Sequence, residues 1–329
     1  MKILVTGGAG YIGSFMIRKL KAEGHMIVVV DNLSYGHIEA VKGFDLRKID
    51  LVTEKEKVFT LFQNEKFDAV VHMASFIQMG ESFTNPSKYY RNNVLGFLNL
   101  IDAMVKNNCM KIILSSSAGV YGNPIKLPIE EDDPKNPLNP YGETKYIMER
   151  ILEDYDSAYG LKFISLRYFN AAGGAIDGSI GEAHPEESHL IPNIIAKALK
   201  NEEVQIFGED YDTADGTCIR DYVHVLDLVD AHALALNFLE KENKSDIFNI
   251  GIGKGYSNKE VIKMVEKIGN LNVNVRYGLR REGDASVLYA SNAKIKNDMD
   301  WSPKYDLDAI IESALLWHKN HPNGYDNID

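Results

Sequence analysis

Cysteine is scarce: 329 residues contain only Cys109 and Cys218. Two thiols so far apart exclude a disulfide-stapled scaffold and a cysteine-ligated metal centre. Long apolar runs are missing as well. Stretches such as Met26–Val30 and Ala69–Val71 fall far short of the ~18 residues that a membrane span needs. Positive charge is in deficit, with 36 Lys plus Arg against 47 Asp plus Glu and a formal charge of −11. Such a surface argues against nucleic acid or an anionic membrane as partner. It leaves room for a phosphorylated ligand, which needs only a few local donors. No solenoid repeat, low-complexity tract or apolar leader is seen, so a cytoplasmic protein is expected.

What is present is an ordinary globular composition, 45% hydrophobic and 25% charged, on a chain long enough for two domains. Short apolar runs at Ile3–Val5, Met26–Val30, Asp68–His72, Lys111–Leu114 and Phe163–Leu166 read as buried strands. Helical patterns lie between them, at about 12–23, 54–65, 86–107 and 141–158. This alternation predicts an α/β fold, a Rossmann-like doubly wound parallel sheet. After about residue 170 the pattern loosens into a Gly- and acid-rich loop, Ala171–Glu187. A helix follows at about 188–200, then strands at Val204–Phe207 and Ile247–Ile250, with Asp227–Glu240 helical between them. The expected division is a dinucleotide-binding domain over 1–170, with a return segment at about 225–250. The rest, 171–329, forms a smaller discontinuous α+β substrate domain.

Thr6-Gly7-Gly8-Ala9-Gly10-Tyr11-Ile12-Gly13 follows the first strand and opens the first helix. Glycines at this spacing permit a tight turn, close approach of a pyrophosphate to the backbone, and a helix N-terminus aimed at the phosphates. Asp31 ends the second strand, where a carboxylate accepts both ribose hydroxyls and repels a 2′-phosphate. That favours NAD over NADP. The alternative is a plain Asp-Asn turn.

Lys111–Leu114 runs into Ser115-Ser116-Ser117, at the carboxyl end of a strand, where open α/β sheets bind ligands. Further on, Asn139 suits an N-cap and Pro140 a first helical position, which places Tyr141 and Lys145 one turn apart on one face. A phenol working as a base near neutrality needs about 4 kcal/mol of help, and an ammonium at ~4 Å supplies a comparable amount. Ser117 would orient the substrate hydroxyl. A Tyr packed on a Lys stem is the plainer reading.

These motifs resemble the extended short-chain dehydrogenase/reductase family, and within it the UDP-glucose (UDP-galactose) 4-epimerases, over nearly the whole chain. The resemblance implies a catalytic triad of Ser117, Tyr141 and Lys145. It implies NAD, tightly bound and not consumed, on Gly7, Gly10, Tyr11, Ile12, Gly13, Asp31 and Asn32. Asp50 and Leu51 beside the adenine, then Met73, Ala74, Asn92, Ser115, Tyr141, Lys145 and Tyr168, complete that set. For the UDP-sugar it implies Ser117, Tyr141, Phe169, Asn170, His189, Leu190, Arg220, Arg281, Asp284 and Leu288. Each arginine also has an acid nearby in sequence, so an Arg–Asp ion pair is the alternative. Departures include Ile77 and His189 at positions where some members carry Lys and Asn. Leu288, at the apparent gate of the sugar pocket, leaves UDP-N-acetylhexosamines and UDP-pentoses open as substrates. Ala118 and Gly119 stand where 4,6-dehydratases carry an acidic pair. A non-catalytic NAD sensor would be expected to have lost Tyr141 or Lys145. His184 and His189 lack a third ligand at helical spacing, so no metal is expected. The family's dimers imply a homodimer through the helices at about 86–107 and 141–158.

Overall fold

The computed structural model describes residues 1–281 and 284–325. The chain divides into two compact units. One comprises Met1–Gly122, Lys135–Arg167 and Val229–Phe248; the other comprises Asn123–Pro134, Tyr168–Leu228 and Asn249 onward.

The first unit holds a seven-stranded sheet built from β1 (Lys2–Thr6), β2 (Met26–Asp31), β3 (Asp45–Lys48), β4 (Ala69–His72), β5 (Lys111–Ser117), β6 (Lys162–Tyr168) and β7 (Asp246–Ile250). Their order is β7-β6-β5-β4-β1-β2-β3. β1 pairs in parallel with both β2 and β4, so the order reverses around the first strand. That reversal is the switch point where such sheets take ligands. The helices α1 (Tyr11–Ala22), α2 (Lys55–Asn64), α3 (Gly96–Lys106), α4 (Pro140–Tyr159) and α5 (Val225–Glu242) connect the strands. β1, β4 and β5 are apolar throughout their middles because a parallel strand is covered on both faces.

Two features depart from the sequence reading. β3 was not expected. Asp45, Arg47 and Lys48 are exposed in it, since an edge strand needs little apolar cover. The stretch 86–107 is not one helix. It starts as Pro86–Tyr89, widens into a π-turn over Tyr90–Leu95, and only then becomes α3. The widened turn carries Asn93 inward. Its fully buried amide accepts from Phe76 N (2.9 Å) and donates to Phe76 O (3.1 Å) and Thr144 Oγ1 (3.0 Å). α4 begins as expected, with Asn139 Oδ1 accepting from Gly142 N at 2.8 Å and Pro140 in the first turn.

The second unit has its own core. The helices Leu190–Leu199, Asn258–Gly269 and Leu307–Asn320 contribute Ile194, Ile195, Val261, Val265, Ile310 and Ile311 to it. Its strands are short: Asn170–Ala172 beside Tyr222–His224, Glu203–Phe207 beside Asn274–Gly278, and Ile219–Arg220 between Tyr256–Ser257 and Val287–Leu288. Buried Asp221 joins three segments by accepting from Ile252 N (2.8 Å), Gly253 N (3.1 Å) and Ala290 N (3.1 Å).

Leu100 lies in the first unit's core with no exposed surface. Leu100→Ala should cost about 2–5 kcal/mol. The readout is a lower urea midpoint at unchanged slope; a midpoint equal to wild type would show that this face is not packed.

Candidate active site

The turn after β1 is backbone packed on backbone. Gly7 has φ +71°, and a Cβ there would lie 2.6 Å from Ala74 N; one on Gly13 would lie 2.1 Å from Gly7 O. No side chain fits at either position, and a cofactor phosphate can therefore reach main chain. Gly10 caps α1 in extended conformation with no side-chain cap, and the first turn carries no acidic residue, so the N-terminus of this 12-residue helix suits an anion. Tyr11 and Ile12 open that helix half-buried, the Tyr11 ring edge-on to Phe15 at 5.8 Å.

Asp31 stands at the end of β2. Its Oδ2 accepts from Ala9 N (3.0 Å) and its Oδ1 from Leu33 N (2.8 Å), which ties the glycine turn to the second strand. Burial pushes this carboxyl up, and the Leu33 and Ala9 N–H groups oppose it. For Asp50 burial is outweighed by Asn32, Thr53 and Val52, which hold it below the usual carboxylate range. Asn32 Nδ2 donates to Asp50 Oδ2 at 2.8 Å, so these two predicted residues form one cluster, with Leu51 next in the chain. This set fits a dinucleotide: a bare helix end for the pyrophosphate and a carboxylate with two oxygens for ribose hydroxyls. Met73 and Ala74 follow β4, with Ala74 pressed against Gly7. Asn92 is half-buried and donates to Asn93 Oδ1 at 3.0 Å.

Three serines end β5, and alternation along the strand sends their groups to different partners. Ser115 O accepts from Lys145 Nζ at 2.7 Å, and Ser116 Oγ donates to Glu149 Oε1 at 2.6 Å. The Ser117 hydroxyl accepts from Gly119 N at 3.1 Å and stands near enough to the Tyr141 phenol to oppose the rise that burial causes in it. Tyr141, Lys145 and Glu149 recur every four residues on α4, so one helix face meets the serine run.

The electrostatics differ from the simple expectation. Lys145 is 2% exposed and donates to Ser75 Oγ (2.8 Å) as well as to Ser115 O; its Nζ lies 5.9 Å from the centre of the Tyr141 ring. Burial pulls the ammonium down to about 7, with Glu149 opposing. The phenol is pushed up by burial, and Ser117 is the group that opposes this. The ammonium is thus spent on Ser75 and Ser115, and these residues by themselves do not depress the phenol.

Sequence reasoning missed the supports: Ser75, Asn93, Glu149 and Arg167. Arg167 binds Glu149 through Nε–Oε1 (3.0 Å) and Nη2–Oε2 (2.7 Å), and donates to Tyr121 OH at 2.7 Å. All four sit in otherwise unremarkable segments and carry no motif. The helical spacing Lys145 to Glu149 was the one available signal.

In the second unit, Tyr168 ends β6 in a buried position and Phe169 N donates to Ile250 O at 3.1 Å. Asn170 Nδ2 donates to Asp221 O at 2.9 Å. Arg220 and Leu288 are register partners on neighbouring strands, and Arg220 Nη2 lies 3.4 Å from Asp284 Oδ1. The structure therefore brings together Arg220, Asp284 and Leu288, and the ionic partner of Arg220 is Asp284, 64 residues on, while its sequence neighbour Asp221 is taken up by backbone N–H groups. The Arg281 guanidinium lies 4.1 Å from the centre of the Phe207 ring. Glu282 and Gly283, in the same segment, lie outside the described residues. His189 caps the helix that Leu190 opens, and its Nδ1 contacts Glu182 Oε1. Burial opposes the His189 charge, but Glu182 and then Glu187 push it up to about 9.

Comparison with known proteins gives one pattern. Residues 3–251 match the model of the NAD dependent epimerase/dehydratase family. A UDP-glucose 4-epimerase of Lactobacillus helveticus is 47% identical over 99% of this chain and 100% of its own. The crystal structure of UDP-glucose 4-epimerase from Brucella ovis in complex with NAD superposes with a TM-score of 0.92 at 42% identity, over 95% of this chain and 97% of that one. The Bifidobacterium longum UDP-glucose 4-epimerase in complex with NAD+ and UDP gives 0.94 at 35% identity, over 99% and 100%.

A lysine at about 7 in the fold and at its ordinary 10.5 when unfolded binds fewer protons in the native state between those values. Stability therefore rises with pH across that window. Lys145→Met should flatten the rise, read as urea midpoints near pH 7 and pH 9.5 without cofactor. The same rise in both proteins would show that Lys145 does not carry it.

Proposed function

The chain belongs to the NAD dependent epimerase/dehydratase family, and on that premise we propose how its residues divide the chemistry of a UDP-glucose 4-epimerase. The activity is the NAD-dependent interconversion of UDP-galactose and UDP-glucose, an isomerisation at C4 of the hexose. The observation that carries the assignment of roles is Tyr141 beside Ser117, with Lys145 buried one turn along the same helix. NAD, when bound, accepts the hydride from C4 and returns it to the opposite face of the 4-keto sugar.

Gly7, Gly10 and Gly13 let the pyrophosphate meet main chain, and Asp31 takes the adenosine ribose. Tyr141 removes the proton of the C4 hydroxyl while Ser117 bonds the same oxygen. The reverse transfer from Tyr141 completes the turnover. Burial raises the phenol, so it needs a nearby positive charge to act as a base at neutral pH. Lys145 and the charge of the oxidised cofactor are the two candidates in this reading. The second unit supplies Arg220 and Arg281 for the diphosphate. Tight nucleotide binding and loose hexose binding suit a sugar that must turn over between the two hydride transfers. With Ala118 and Gly119 after Ser117, no acid stands there to drive a dehydration.

Among the described residues no helix is long and apolar enough to cross a membrane. We place the protein in the cytoplasm, in galactose metabolism, as a homodimer. The dimer reading is supported by exposed Tyr90 and Leu95 beside α3 and exposed Tyr159 at the end of α4. Leu288, half-buried on its short strand, is smaller than an aromatic gate, so UDP-N-acetylglucosamine belongs in the substrate panel.

Proton NMR of the purified chain with UDP-galactose and no added nucleotide should show UDP-glucose growing to a fixed ratio. No change with or without NAD would sink the reading. Tyr141→Phe should lower kcat by about 10²–10⁴-fold with UDP affinity unchanged. An equal loss of UDP binding would make Tyr141 structural.

A further inference from the structure

The loop before helix Leu190–Leu199 reads Glu182-Ala183-His184-Pro185-Glu186-Glu187-Ser188-His189. Its spacing is not helical, and the sequence reading set a metal aside for want of a third ligand. The fold brings in two more. The ligand-capable atoms of Glu182, His184, Glu187 and His189 all lie within 4.8 Å of one another. His184 Nδ1 is 3.1 Å from Glu187 Oε2 and 3.5 Å from Glu182 Oε1. His189 Nδ1 is 3.9 Å from Glu187 Oε1 and contacts the same Glu182 oxygen. The two rings stand edge to face at 5.4 Å.

These separations have a chemical meaning. Donors held tetrahedrally about 2.0–2.2 Å from an ion are about 3.3–3.6 Å apart. The His184 gaps and the His189–Glu187 gap lie around that range, while His189 Nδ1 and Glu182 Oε1 touch directly and would part to admit an ion. Glu182 is 3% exposed, so its charge is not dispersed into water. Once an ion displaces the His189 proton the imidazoles are neutral, and the four side chains carry two negative charges. A divalent cation would balance both at once, and buried charges persist only when compensated. The loop is also anchored independently of any ion: Trp317 Nε1 donates to Glu182 O at 2.9 Å and His189 N to Glu187 Oε1 at 2.8 Å.

We propose that Glu182, His184, Glu187 and His189 bind one divalent transition-metal ion of the zinc class, as a structural clasp at the start of helix Leu190–Leu199. Two imidazoles and two carboxylates suit zinc, and four protein ligands leave no open position for catalysis. The His189 side chain then serves the ion in place of its expected contact with substrate. The acid–base groups Ser117, Tyr141 and Lys145 belong to the first unit.

The test uses the full chain, stripped with a chelator and titrated with Co2+ alone. One equivalent should give the intense visible bands of a tetrahedral site, and one equivalent of Zn2+ should abolish them. His184→Ala and Glu187→Gln should each weaken zinc at least about tenfold. Epimerisation by the zinc-free wild type is measured in parallel, so loss of metal binding and loss of activity are read separately. Absence of the bands in the wild type, the weak spectrum of an octahedral site, or bands unchanged in both variants would overturn the proposal. The wild-type titration decides even if a variant misfolds.

Discussion

The first unit is organised around a close approach of main chain to main chain at the carboxyl end of its sheet. Gly13 must pass Gly7 O where any Cβ would sit 2.1 Å away, and Gly7 must pass Ala74 N. That contact seats α1 on the sheet, its N-terminus carrying no side-chain cap. It also fixes where β1 and β4 end, and so where Asp31 and the residues after β4 stand. A methyl group at either glycine would force the turn apart, and the anion-binding end of the helix would move with it.

Burial is the second theme, and it works against the chemistry as much as for it. Lys145 and Tyr141 are both pushed toward their neutral forms, one downward and one upward. Lys145 is held by its hydrogen bonds to Ser75 Oγ and Ser115 O, and Ser117 stands beside the phenol. In this arrangement the chain provides orientation, and burial leaves the phenol above its ordinary value. Beneath them Glu149, with Arg167 and Ser116, keeps a paired carboxylate one turn from the ammonium. That pairing is needed because an unpaired buried charge costs several kcal/mol.

The second unit uses charge differently. Asp221 is satisfied by three backbone N–H groups and serves as a structural staple. Arg220 donates to Ile219 O at 2.9 Å and makes a long contact with Asp284, on a guanidinium whose planar fork of N–H groups suits a diphosphate. The Glu182–His189 loop gathers four ligand-capable side chains within a span that has no helical register.

Much of this was legible in the chain. The alternation of apolar runs and amphipathic stretches, the glycine spacing, the Asp at the end of the second strand and the Tyr-x-x-x-Lys turn are local patterns. Each is dictated by a period or a steric rule acting within a few residues. Edge strand β3 escaped notice because a polar edge needs no apolar run, and the π-turn at Tyr90–Leu95 because its cause, Asn93 reaching Phe76 and Thr144, lies far away in sequence. The partners of Lys145, the pairing of Arg167 with Glu149 and the gathering of two histidines with two glutamates were decided only by the tertiary structure. Hydrogen bonds and ion pairs act through distances in space, and a sequence states those only for near neighbours.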